Sequence, residues 1–234
     1  MSSSALSIQF DRPGLIYGAR RSLPLALGVF VYGTVFGVLA QQAGLSLLEA
    51  LLMSGFVFAG ASQFVAVGLW ATPLPVAAII FTTLIINLRH LLMSAALSPW
   101  FLRLPPAAAY GSLFFLNDES SALTRNELLN GKANGAFLLG SGLLMFVAWL
   151  GATLTGRLLG TAIADPARWG LDFAFTAVFV ALLAGQWRGN ADLLPWAVAA
   201  LVAVLAERWL PGTWYIVLGG LAGSVVGAVQ HADR

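Results

Sequence analysis

Arginine and histidine stand side by side in NLRHLLMS, residues 87–94, directly after PLPVAAIIFTTLII, a run from Pro73 to Ile86 that carries no charge. Ionisable groups inside an apolar segment are costly and tend to be functional. Arg89 cannot deprotonate, so it needs an anionic partner, a carbonyl cluster or a route to water. His90 can change charge near neutral pH, and Asn87 adds an amide to the group. Arg89 could instead snorkel to the membrane interface from its helix end. Against that, Leu91, Leu92 and Met93 continue the apolar run beyond it toward Ser98-Pro99.

Three other polar groups interrupt apolar stretches. Asn117-Asp118-Glu119-Ser120 follows an apolar run from Ala107 to Leu116. Its carboxylates either end a helix in water, supply the counter-charge to Arg89, or couple transport to protons. Neighbours on a helix point about 100° apart, so at most one of the two faces Arg89; Asp118 is the expected partner. FAGASQF, residues 58–64, places Gly60, Ser62 and Gln63 in the middle of another apolar run. Small residues there permit either a packing notch or a helix break, and a break exposes backbone groups that can hold a carboxylate and an ammonium. Asp172 in GLDFA opens a further run, where a helix N-terminus favours negative charge, either as a cap or as part of a site.

A serine and a histidine on successive spans also raise nucleophilic catalysis, an intramembrane serine protease using Ser62 and His90. That chemistry needs Ser–His contact and oxyanion donors. Gln63 stands where a G-x-S-G pattern would carry glycine, and Arg89 disfavours protonation of its neighbour. A passive channel or a structural membrane subunit is the other alternative to a transporter.

The elements positioning these groups follow from composition. Of 234 residues, 59% are hydrophobic and 9% charged, against about 25% charged in soluble domains. Mean hydropathy is +0.85. So few charges cannot cover a water-facing surface, so lipid is the expected solvent and the chain reads as an all-α, polytopic membrane protein. A net charge of +2 without a basic run points away from nucleic acid. With no cysteine and two distant histidines, His90 and His231, no metal site and no cofactor are expected.

A bilayer core takes about 20 apolar residues per helix. Such runs lie at Leu23–Ala40, Leu47–Trp70, Val76–Leu97 (ended by Ser98-Pro99), Ala107–Leu123, Ala133–Gly156, Leu171–Trp187, Leu194–Ala206 and Trp214–Val229. Residues 1–22 read as a polar cytoplasmic leader, 23–230 as one transmembrane domain and 231–234 as a tail. Two related halves, about 23–123 and 133–230, are suggested by a Gly-rich span opening each. Loop lysines and arginines collect on the cytoplasmic side. Eight crossings with the N-terminus inside put Arg12, Arg20, Arg21, Arg125, Lys132, Arg188 and Arg234 inside, against Arg103, Arg157, Arg168 and Arg208 outside. Seven crossings, with Ala107–Leu123 re-entrant, give a weaker bias. Gly33-x-x-x-Gly37, Gly156-x-x-x-Gly160 and the tandem Gly219, Gly223 and Gly227 are candidate close helix contacts, within the chain or with a partner.

An FAGASQF span, NLRH with its Leu-Met-Ser continuation, and an Asp-Glu pair about thirty residues on together resemble the AzlC-type branched-chain amino acid export permeases. The likeness runs from Ala19-Arg20 to Gly170-Leu171-Asp172-Phe173. It implies export of valine, leucine and isoleucine across a bacterial inner membrane, together with a small AzlD-type membrane subunit. No Walker A pattern occurs in the chain, so the proton gradient is the expected driving force.

Overall fold

The computed structural model describes residues 8–132, 134–163, 168, 173–185, 187, 189–210 and 214–232. Asp172 lies outside them. Ten α-helices follow one another among the described residues: α1 Arg12–Gln42, α2 Leu47–Phe56, α3 Gly60–Gly68, α4 Val76–Phe101, α5 Pro106–Phe114, α6 Asp118–Leu129, α7 Ala136–Ala162, α8 Ala174–Gly185, α9 Leu193–Trp209 and α10 Trp214–Ala232. Among the described residues the only β pairing is an isolated bridge between Gln9 and Asn134. Four helical segments among the described residues, Arg12–Gln42, Val76–Phe101, Ala136–Ala162 and Asn190–Trp209, are long and apolar enough to cross a bilayer. Large apolar side chains such as Leu27, Leu92 and Val147 are exposed on them, as a lipid-facing surface requires.

Several boundaries differ from those the sequence suggests. Helix α1 begins at Arg12 rather than Leu23, because Asp11 caps it by accepting from the Gly14 amide at 2.8 Å. Asp11 also accepts from Asn134 Nδ2 at 2.8 Å, tying the start of α1 to the approach to α7. The Gly14 amide first, and then Asn134, hold the Asp11 carboxyl below its ordinary range. Helix α4 runs through Pro99 to Phe101. At its other extreme the chain stays helical through His231.

Two of the apolar runs are interrupted, the first beside FAGASQF, where the small residues permit a helix break. The apolar run from Leu47 divides into α2, 10 residues, and α3, 9 residues. The run after Pro105 divides into α5, 9 residues, and α6, 12 residues. At about 1.5 Å per residue none of these reaches across a core of about 30 Å. Taken in sequence, each pair is about the length of one crossing.

Helices α1 and α7 form the principal contact of the fold. Gly18 lies against the Phe137 carbonyl, Ser22 Oγ donates to Ser141 Oγ at 2.6 Å, Gly37 meets the Thr153 carbonyl and Gly160 meets Gln41. The partner's number rises with the residue's own, so the two helices run parallel. Their backbones touch because glycine leaves nothing between them. A ring stack of Phe36 on Trp149, centroids 5.6 Å apart, fills the seam beside Phe64 and Met145. The tandem glycines of α10 pack within the chain, with Gly219 and Gly223 against Ala199 and Ala203 of α9.

Candidate functional site

Both interruptions open onto one cavity of about 340 Å³. Helix α2 ends at Phe56, and Phe58 then takes a φ of 41°, a left-handed conformation rare for a bulky residue. Strain of this kind persists where the surroundings enforce it, often at binding sites. Helix α3 then starts at Gly60 with Ala59 as its N-cap. Alanine offers no side-chain acceptor, and no acid lies in the first turn. The first amides of α3 therefore present an unneutralised positive end to the cavity. Gly60 allows this end to lie against the indole of Trp149, where an added methyl would come within 3.1 Å.

Helix α6 meets the cavity with the opposite charge. Asn117 caps it in a reciprocal pair with Ser120, and Asp118 and Glu119 occupy the first turn. Between the two broken segments passes the unbroken α4, which brings Arg89 and His90. Arg89 Nη1 pairs with Asp118 Oδ2 at 2.9 Å, and both side chains remain partly exposed to the cavity. The charged part of the lining, or charged pole, is Arg89, His90, Asp118 and Glu119 with the start of α3. The remainder, the apolar pole, is Pro24, Leu25, Gly28, Val29 and Tyr32 of α1 with Phe58 and Trp149, and the two meet where Gly60 lies against Trp149.

Of the candidates named from sequence, Gly60, Arg89, His90, Asp118 and Glu119 therefore share one cavity. Ser62, Gln63 and Asn87 do not line it. Ser62 is buried and donates to the Ala59 carbonyl at 2.9 Å, securing the first turn of α3. Gln63 is buried with its Nε2 donating to Ser54 Oγ at 3.1 Å; Ser54 in turn pairs with Thr153, which joins α2, α3 and α7. Asn87 supplies its carbonyl to His90 Nδ1 at 3.2 Å. Ser62 and His90 are thus each engaged within their own helix, an arrangement without the mutual contact that a nucleophile and its base require.

The structure adds residues the sequence reading missed. Tyr32 and Trp149 line the cavity, and Tyr32 Oη, Trp149 Nε1 and Arg89 Nε are buried without a hydrogen-bond partner among the described residues. Buried polar atoms are nearly always paired, so these three stand out among the residues of the cavity lining. The signal was present for Trp149, which sits at the middle of α7 rather than at an interface where tryptophan collects. Away from the cavity, Glu127 at the far end of α6 is buried and gathers Tyr17 Oη at 3.2 Å, Arg21 at 3.5 Å and Lys132 at 3.5 Å. This cluster fixes α6 to α1 by its C-terminal half, leaving its acidic N-terminus at the cavity.

Comparison with known proteins gives a consistent picture. The model of the family described as AzlC protein matches residues 24–163. An uncharacterized membrane protein of Archaeoglobus fulgidus is 37% identical over 193 residues, covering 81% of each chain. The branched-chain amino acid transport protein AzlC of Bacillus subtilis is 27% identical, covering 80% of this chain and 75% of its own. The inner membrane protein YgaZ of Escherichia coli is 28% identical, covering 92% and 89%. No solved structure matches the chain.

Proposed function

The chain belongs to the AzlC family, and from that premise we propose that it exports valine, leucine and isoleucine across the bacterial inner membrane. It does so as the large subunit beside a small AzlD-type membrane protein, driven by the proton gradient. The observation that carries this reading is the cavity with a charged pole and an apolar pole, at which the Arg89–Asp118 pair lies open. A zwitterionic amino acid has a carboxylate for Arg89 and the uncapped start of α3, and an ammonium for Asp118 and Glu119. Its aliphatic side chain then falls among Leu25, Val29, Phe58 and Trp149. Few polar groups fixing the ends of a ligand in an otherwise apolar pocket is the usual design of such sites.

Arg89 exchanges partners in this mechanism. With the cavity free it holds Asp118; with substrate bound it turns its planar fork to the substrate carboxylate, and Asp118 is released to the ammonium. His90 and Glu119 are the other titratable side chains at the pole and are the proposed proton carriers. Counterflow of radiolabelled valine in liposomes, with and without the small subunit, is the test. Saturable counterflow is expected, and a chain that supports none in either condition is not a carrier of valine. Cells deleted for the chain should accumulate the three amino acids and become sensitive to their toxic analogues.

The same reading includes eight crossings, with α2–α3 and α5–α6 each counted as one broken span. The parallel run of α1 and α7 supports this, since two helices crossing in the same direction need an odd number of crossings between them. A reporter fused to the C-terminus should give a cytoplasmic signal with the N-terminus inside. With α1 and α7 parallel, a periplasmic signal would mean that one of the helices after α7 does not cross.

A further inference from the structure

Glycines in this chain differ in what surrounds them. At Gly18, Gly37, Gly140 and Gly156 a side chain would strike the backbone of a neighbouring helix. At Gly28 an added methyl would meet no atom within 4 Å. Gly28 nonetheless stands inside the long helix α1, where glycine costs about 1 kcal/mol relative to alanine. It is in neither a turn nor a packed seam, and like Gly55, Gly111, Gly185 and Gly220 it has no helix contact that accounts for it.

Its position does. Gly28 lies on the stripe of α1 that borders the cavity, with Pro24 and Leu25 one turn before it and Tyr32 one turn after. Gly60 borders the cavity too, but is backed by Trp149, so Gly28 is the cavity-lining glycine with unoccupied space beside it among the described residues. We infer that Gly28 is the specificity-determining residue of the substrate site: its missing side chain sets the depth of the apolar pole and thereby the longest aliphatic side chain the carrier accepts. The inference rests on the amino acid transport reading and adds to it which residue sorts the substrates. Each carbon added at Gly28 removes depth from the apolar pole and leaves Arg89, Asp118 and the start of α3 untouched. Substrates with long side chains lose, and short ones do not.

The experiment compares efflux of radiolabelled alanine, valine and leucine from cells in which the wild-type chain, Gly28→Ala or Gly28→Val is the sole exporter for these amino acids. Membrane abundance is measured in parallel. Gly28→Val should lower the leucine-to-alanine ratio of kcat/KM at least tenfold, and Gly28→Ala should lower it by less in the same direction. Loss of all three substrates in equal proportion would place Gly28 at the mouth of the cavity and overturn the inference, as would an unchanged ratio. Failure of Gly28→Ala to accumulate would also overturn it, since that space would then not be open. If the wild-type chain carries none of the three, the transport reading falls and this inference falls with it, a result visible before any variant is made.

Discussion

Arg89→Gln should reduce valine efflux by about 10- to 150-fold while membrane abundance stays at the wild-type level. The range follows from the worth of a hydrogen bond to a charged group, about 1.5–3 kcal/mol, at about 1.4 kcal/mol per factor of ten. Glutamine keeps polarity but removes the charge and the planar fork that binds a carboxylate at two points. It also leaves Asp118 without its partner at 2.9 Å. An unpaired carboxylate at the cavity is a second penalty, so Asp118→Asn in the same chain should recover part of the loss. Arg89→Lys keeps the charge without the fork and should fall between wild type and Arg89→Gln. Efflux from proteoliposomes, normalised to protein, gives the comparison. Wild-type transport by a well-expressed Arg89→Gln would reduce the arginine to an anchor at the membrane interface.

The second large effect concerns folding. Gly156 lies against the Thr34 carbonyl, and Gly37 on the opposite helix lies against the Thr153 carbonyl. These obstacles are backbone atoms within helices, so a methyl cannot be accommodated by turning a side chain. Overpacking a tight site costs about 1–3 kcal/mol, and at about 2–4 °C per kcal/mol for a chain of this size Gly156→Ala should lose roughly 2–12 °C of melting temperature. Gly111→Ala makes the same chemical change where nothing lies within 4 Å, and should lose none. Thermal unfolding of the two variants in detergent, followed by intrinsic fluorescence, separates them. Equal melting temperatures would mean that α1 and α7 separate more readily than their contact implies.

Much of this was legible in the residues. A chain with 9% charge and apolar runs of about 20 residues reads as helices in lipid, and Gly60-Ala61-Ser62 marked the region where the second run breaks. Arg89 and Asp118 could be named as partners because each stood out in apolar surroundings. Gln63 stood out equally and went elsewhere, to Ser54 at 3.1 Å. Polarity in a span shows that a group needs a partner but not which one, because the partner depends on how helices are arranged. Tyr32 and Gly28 escaped for the opposite reason. They look like ordinary members of an apolar helix, and their role arises only when α4 and α6 close a cavity over them. Glu127 was hidden by its neighbours: in TRNELL it reads as a charge facing water, whereas three polar groups surround it in the fold.

The parallel seam has a consequence for how the protein is made. Ser22 and the Ser141 that receives its hydrogen bond are 119 residues apart. At about 5–20 residues per second, α1 leaves the ribosome roughly 6 to 24 seconds before the face of α7 that matches it. During that interval α1 stands in the bilayer with its glycine face bare. Every helix synthesised meanwhile, α2 through α6, must be held near it without taking that place. The α1–α7 seam therefore closes late, when α7 slides into a groove that the earlier helices have kept open. The broken segments fit that order, since half-helices offer too short a surface to cover the face of a helix of 31 residues.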